Sequence, residues 1–345
     1  MKNSKQEKNL RQIIMGLCCW LPLCVHKFIP LLLPFLAWWS LPIFAAVIVL
    51  CFVAFIFATS DSLPKIIIFD TEKTFIDEGD ERQEFPSLDE QATLDLSIIV
   101  PAYNEEERLP KMLEECTSYL AQSGDDYEII IVDDGSRDGT TKEALKWSKK
   151  LGSDKLRVLT LAKNLGKGGA VRRGMLVARG KELLFVDADG ATTFSELAKL
   201  QKLMAKTVSD EGDGVICGSR AHLERDSIAS RSIFRTVLMY GFHLCVKMFG
   251  CKSIHDTQCG FKLFTRRTAR ILFKSCHIER WAFDVELLKI AEMKKIPMAE
   301  VAVQWTEIDG SKLNPILASI QMFKDLFLLW VRYAVGAWRV IEKVD

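Results

Sequence analysis

The chain has 345 residues, 49% of them hydrophobic and only 10 of them proline, enough for one large domain with additions and too apolar for disorder to dominate. A formal charge of +1 excludes a global basic field for nucleic acid, so any anionic partner has to be met by local clusters. The 10 cysteines form no C-x-x-C pair and read as reduced, mostly buried thiols, and no Asn-x-Ser/Thr site occurs, which favours a cytosolic catalytic part.

From Phe28 to Ser60 there is no charged residue or histidine, and the stretch Leu36 to Phe57 is long enough for the about 20 residues of a membrane span. A transmembrane helix is expected there, with Trp38 and Trp39 marking an interface. A cleaved signal peptide fits less well, because the apolar run is longer than the about 7–15 residues of an h-region and starts too late. Gln12 to Val25 is a further uncharged stretch, suited to an extra short membrane segment. Lys2, Lys5, Lys8 and Arg11 hold the amino end in the cytosol; a single span then sends the globular part across, and a re-entrant pair brings it back. Ser62 to Thr93, polar and acidic, reads as a stalk.

From Leu94 onward apolar runs alternate with helical patterns. Strands are predicted at 96–100, 127–132, 156–161, 182–186 and 214–218, with helices at 106–122, 140–150, 168–179 and 194–206 between them. That order implies an α/β fold with a doubly wound, mainly parallel sheet. An amphipathic helix follows at 230–249, then strands near 261–264 and 298–304 and a helix at 283–294. Over 316–341, Ile316, Ile320, Phe323, Phe327, Trp330, Val331, Val335 and Trp338 recur at helical spacing, for which a bilayer surface and ordinary core packing are both available partners.

Two acidic pairs end strands: Asp133-Asp134 after Ile129 to Val132, and Asp187-Ala188-Asp189 after Leu183 to Val186. In an open α/β sheet ligands collect outside the carboxyl ends of strands, which points to one site for a cation and a polar ligand. Residues two apart in extended chain face the same way, so Asp187 and Asp189 can share a hard cation such as Mg²⁺ or Mn²⁺. Such an ion would bridge a diphosphate and stabilise charge on its departure. Pro101-Ala102-Tyr103-Asn104-Glu105-Glu106 suits a flat ring and a hydroxyl, although helix capping explains much of it. Either Asp133 or Asp134 can accept a base N–H, against the plainer reading of a polar turn. Lys163 to Ala170 precedes a helix with glycines, Gly168 among them, that bring backbone N–H groups to a phosphate or fit a tight approach to a nucleotide, and Lys163 and Lys167 read as local positive charge near a diphosphate or as plain solvent-exposed lysines. It matches neither the Walker loop nor the dinucleotide fingerprint. Arg220, Arg231 and Arg235 offer guanidinium forks.

In this order and spacing, VPAYNEE, VDDGSRDGT, NLGKGGA, VDADG, GSR, HDTQCGFK and RWAFDVEL resemble glycosyltransferase family 2 of GT-A fold, over about 94–305. Within it, DTQCGFK, RWAFDVEL and DGSKLNP are most similar to the dolichyl-phosphate glucosyltransferase branch. The resemblance implies a membrane-anchored enzyme of the endoplasmic reticulum, facing the cytosol, that transfers glucose from UDP-glucose to dolichyl phosphate at the bilayer and so makes a lipid-linked donor for N-glycosylation. It implies donor binding by Pro101, Tyr103, Glu105, Asp133, Asp134, Lys163, Gly168 and Asp187, and metal binding by Asp187 and Asp189. Arg220, Arg231, Gln258 and Lys262 would meet the acceptor and phosphates, and Asp189, Asp284 and Arg220 would act in catalysis. Mannosyl relatives carry Asp-Ala-Asp-Leu-Gln, whereas here Gly190 and Ala191 follow Asp189, leaving a third ligand to water or Thr192. A mannosyltransferase using GDP-mannose and an inactive membrane scaffold are the alternatives.

Overall fold

The computed structural model describes residues 42–222, 241, 244–308 and 315–342, the last stretch without the side chains of 315–319. The chain divides after Ser60. In the first unit, helix α1 covers 42–58. Among the described residues no helix is long and apolar enough to cross a membrane. The expected span 36–57 begins outside them, as do the short segment 12–25, Trp38 and Trp39.

The second unit is built on a seven-stranded sheet. Ahead of it, the stretch read as a stalk is folded: β1 (Thr74–Ile76) and β2 (Arg82–Glu84) make a short antiparallel hairpin. Leu88 is buried and its N–H bonds Leu176 O, while Arg266 and Arg270 donate to the carbonyls of 87–90. Those arginine contacts satisfy a loop that composition alone marks as solvated.

The sheet strands are β3 (Leu94–Ala102), β4 (Tyr127–Asp133), β5 (Leu156–Thr160), β6 (Gly180–Val186), β7 (Val215–Ser219), β8 (Phe261–Thr265) and β9 (Met298–Ala302), in the order β5-β4-β3-β6-β8-β7-β9. Helices α2 (Leu109–Ser123), α3 (Thr140–Leu151), α4 (Lys167–Leu176) and α5 (Leu197–Thr207) make the crossovers of the first half. Runs such as Ile129 to Val132 and Leu183 to Val186 are wholly buried because helices cover both faces of a parallel sheet. Helix α2 begins later than expected, since Pro110 is tolerated only in a first turn.

Order reverses on either side of β3: the chain goes out through β4 to β5 and returns to pair β6 with β3. The crevice beyond the ends of β3, β4 and β6 is therefore the ligand position of this topology. Strand β8 runs antiparallel between β6 and β7, so its first residues lie at the same edge as their last ones.

Beyond β8 come α6 (Arg266–Ser275), which the sequence reading missed, α7 (Phe283–Met293) and α8 (Pro315–Ala334). Of the helix expected at 230–249, residues 241 and 244–249 are described and helical. Helix α8 answers the question of its partner face by face. Leu326, Leu329 and Tyr333 are buried, with Tyr333 Oη donating to Glu286 Oε1 at 2.9 Å, while Ile320, Phe323 and Trp330 are exposed. Glu286 also accepts from the N–H groups of His277 and Ile278, so one fully buried carboxylate joins α7, the 276–278 turn and α8. The seven cysteines among the described residues are free thiols.

Candidate active site

The seven sequence motifs meet in the switch-point crevice and bond to one another. The turn after β3 interlocks with the turn after β4: Asn104 N donates to Ser136 Oγ at 2.9 Å, Glu105 N to Thr140 Oγ1 at 2.7 Å, and Arg137 N to Asn104 Oδ1 at 2.9 Å. Asn104 adopts φ 57°, a conformation asparagine tolerates because its side chain bonds locally. Pro101 pairs within β3 opposite Val132, and Tyr103 is exposed beside the crevice, available to a ring.

Both acids after β4 are buried and internally engaged. Asp133 accepts from Ser136 N at 2.9 Å and from the Thr141 hydroxyl. Asp134 accepts from Leu165 N at 2.7 Å and Gly166 N at 2.8 Å, and so pins the glycine loop against the sheet. Burial pushes the Asp134 carboxyl up, and those two N–H groups oppose the rise.

The glycines of that loop are packed closely by the chain. A Cβ on Gly168 would lie 2.5 Å from Phe283 Cβ, and Gly169 N donates to Glu279 O at 2.8 Å. Lys163 is exposed, with its ammonium 5.8 Å from the Phe69 ring centre.

Lys167, in contrast, points into the crevice: its Nζ is 2.7 Å from Asp187 Oδ1 and 5.1 Å from the centre of the Phe185 ring. The sequence offers Lys167, with Lys163, as local positive charge near a diphosphate. Asp187 bonds the next motif through its N–H to Gly260 O at 3.1 Å. A Cβ on Gly260 would fall 1.9 Å from Asp187 Oδ2, so only glycine leaves room for this carboxylate. Asp189, two residues on, is part-exposed and accepts only from Ala191 N, at 2.9 Å, among its described contacts.

These observations test the fit of a divalent cation. Two carboxylates stand at one strand end, an ammonium already lies against one of them, and Gly260 leaves room for that carboxylate. Among the described residues no group of three or more acids, histidines and cysteines gathers for a metal, so the remaining oxygens would come from ligand and water.

Glu105 senses the same charges. Burial pushes its carboxyl up to about 7; its ion pair with Arg108 opposes the rise, and Asp189 and Asp187 reinforce it. With a raised folded value the protonated acid favours the folded state, so this stability is present below about 4.5 and is lost as pH rises through about 7. Melting temperatures across that window should fall less steeply for Glu105→Gln than for the wild type. An unaltered slope would show that Glu105 does not titrate there.

Arg220, after β7, is committed to Asp256: Nε and Nη2 each lie 2.8 Å from a carboxylate oxygen, and the guanidinium lies 5.4 Å from the centre of the Trp305 ring. Burial opposes the Arg220 charge, but Asp256 outweighs it and raises the pKa. Lys262 and Asp284 form an internal ion pair at 2.6 Å, with the lysine fully buried and the acid 3% exposed. Lys262 Nζ also donates to Cys259 O. A direct part for either at the acceptor would require this pair to open. Gln258 Nε2 lies 3.8 Å from Met322 Sδ on α8. Arg231 and Arg235 fall outside the described residues.

Residues 97–271 match the family model described as glycosyl transferase family 2. The chain belongs to this family. Its α/β fold with a mainly parallel sheet is GT-A-like. Among curated family 2 relatives, dolichyl-phosphate β-glucosyltransferase of Drosophila melanogaster is 55% identical over 302 residues, 86% of this chain and 93% of that protein. The Homo sapiens protein of that name is 51% identical with the same coverage, and the Saccharomyces cerevisiae one is 44% identical over 259 residues, 72% of this chain and 78% of that protein. Among solved structures, a glucosyl-3-phosphoglycerate synthase of M. tuberculosis is 17% identical, with a TM-score of 0.48 over 69% of this chain and 81% of that one.

Proposed function

We propose that this family 2 glycosyltransferase transfers glucose from UDP-glucose to dolichyl phosphate with inversion, giving dolichyl β-glucosyl phosphate. The observation that carries the reading is 55% identity extending over 93% of a relative of that name. In the reaction an oxygen of the lipid phosphate attacks the anomeric carbon, the bond from that carbon to the UDP oxygen breaks, and its electron pair leaves with UDP. A phosphate monoester has a second pKa of about 6, so the nucleophile is charged at neutral pH and needs no strong base. That agrees with the burial of Asp284 against Lys262.

Asp187 and Asp189 would hold Mg²⁺ or Mn²⁺, which supplies charge neutralisation for the departing diphosphate. Tyr103 and the Asp133-Asp134 turn would border the uridine, with Glu105 toward the ribose. The lipid side draws on α8, whose Ile320, Phe323 and Trp330 are 61%, 50% and 41% exposed. Between α8 and the 278–280 turn lies a cavity of about 160 Å³ whose walls include Arg280, Leu328, Arg332 and Trp338. The segment 36–57 would anchor the chain in the endoplasmic reticulum membrane, with the catalytic unit facing the cytosolic sugar nucleotides.

The test is a donor panel offered to the purified full chain with dolichyl phosphate and Mn²⁺. UDP-glucose should yield the lipid-linked product at least about tenfold faster than GDP-mannose or UDP-galactose, a preference of about 1.4 kcal/mol. Faster product from GDP-mannose would replace this reading by the mannosyl one, and no product from any donor would leave the scaffold.

A further inference from the structure

Lys167 is the first residue of α4, and its backbone has little room to move. A Cβ on Gly166 would meet Glu279 O at 2.9 Å, and one on Gly168 would meet Phe283 Cβ at 2.5 Å, so the helix start is packed on both sides against the 279–283 turn. Freedom is left to the side chain alone, which is 20% exposed and places its ammonium 2.7 Å from Asp187 Oδ1. The Asp187 backbone is tied to Gly260, its N–H donating to Gly260 O at 3.1 Å. The other acids near Lys167 are already taken: Asp284 by Lys262, and Asp134 by the backbone of its own loop.

We propose that Lys167 is an exchangeable counter-ion, neutralising Asp187 in the ligand-free enzyme and transferring to the donor diphosphate when a divalent cation takes over that carboxylate. The inference rests on the metal-binding reading above. An ammonium and a divalent ion repel each other at one carboxylate, so metal arriving alone on Asp187 and Asp189 must expel the lysine toward acids that, among the described residues, Lys262 and the glycine loop already engage. Metal arriving with a diphosphate supplies the lysine with a new partner. Metal and nucleotide therefore bind as a coupled pair, each raising the affinity of the other by the same factor.

Calorimetric titration of the full chain with Mn²⁺, alone and with saturating UDP, tests this. Lys167→Met should bind Mn²⁺ alone about fivefold more tightly, the worth of a part-exposed ion pair, and should lose most of the coupling to UDP. Lys167→Arg, which keeps the charge, should retain weak binding of Mn²⁺ alone. Unchanged or weaker Mn²⁺ affinity in Lys167→Met, or coupling left intact, would overturn the exchange. Asp187→Asn separates the two levels: if it binds Mn²⁺ as the wild type does, the metal reading itself fails, and if it loses Mn²⁺ while Lys167→Met gains nothing, only the exchange fails.

Discussion

Asp189→Asn is expected to lower kcat/KM by roughly 10³-fold with Mn²⁺ present, because a metal ion contributes several kcal/mol of charge stabilisation to a leaving diphosphate. The fold should be untouched. Asp189 is part-exposed, its one described bond runs from Ala191 N to Oδ1, and asparagine offers an oxygen in the same place. The change thus removes a charge while preserving a shape. Steady-state rates over a Mn²⁺ series, beside a melting curve for each variant, check it. Full activity of the variant, or of the wild type in EDTA, would remove the cation from the chemistry and with it the assigned role of the strand-end aspartates.

Lys262→Met should act on stability, by about 3–5 kcal/mol, because it strands the Asp284 carboxylate in a site that is 3% exposed. Burial already pushes the Asp284 carboxyl up, and the Lys262 charge is the main influence holding it down. For a unit of this size the loss corresponds to a drop in melting temperature of about 10 °C. The double variant Lys262→Met with Asp284→Leu should recover most of it, since replacing both ions by apolar groups removes the unpaired charge. Failure of the second substitution to restore the melting temperature would mean that the pair matters for more than its own neutralisation, for instance by seating the α7 start that packs against Gly168.

The alternation of apolar runs and helical patterns from Leu94 to Ser219 was enough to predict the parallel half of the sheet, because strands buried on both faces have little freedom in composition. The acidic pairs at the ends of β4 and β6 were equally legible, since an aspartate directly after an apolar run marks a sheet edge. Other features depend on partners remote in sequence. Helix α6 carries Arg266, Arg267 and Arg270, charges that look solvent-facing until Arg266 and Arg270 are seen capping the carbonyls of 87–90. Lys262 sits at an inward position of β8 and reads as a phosphate ligand until Asp284 is placed beside it. At Gly168 the sequence could not show that Phe283 packs against the position a Cβ would take, because that partner lies more than a hundred residues away.

Because the turn after β3 bonds to the turn after β4, Asp134 to the glycine loop, Lys167 to Asp187, Arg220 to Asp256 and Lys262 to Asp284, no motif in the crevice is an independent module. Chimeras built to alter donor preference by swapping one signature at a time from a mannosyl relative should therefore misfold or idle, whereas grafts that move both halves of a bonded couple keep the scaffold coherent. Laboratory evolution of this enzyme would accordingly advance by paired substitutions, with single changes surviving mainly on the outer face of α8.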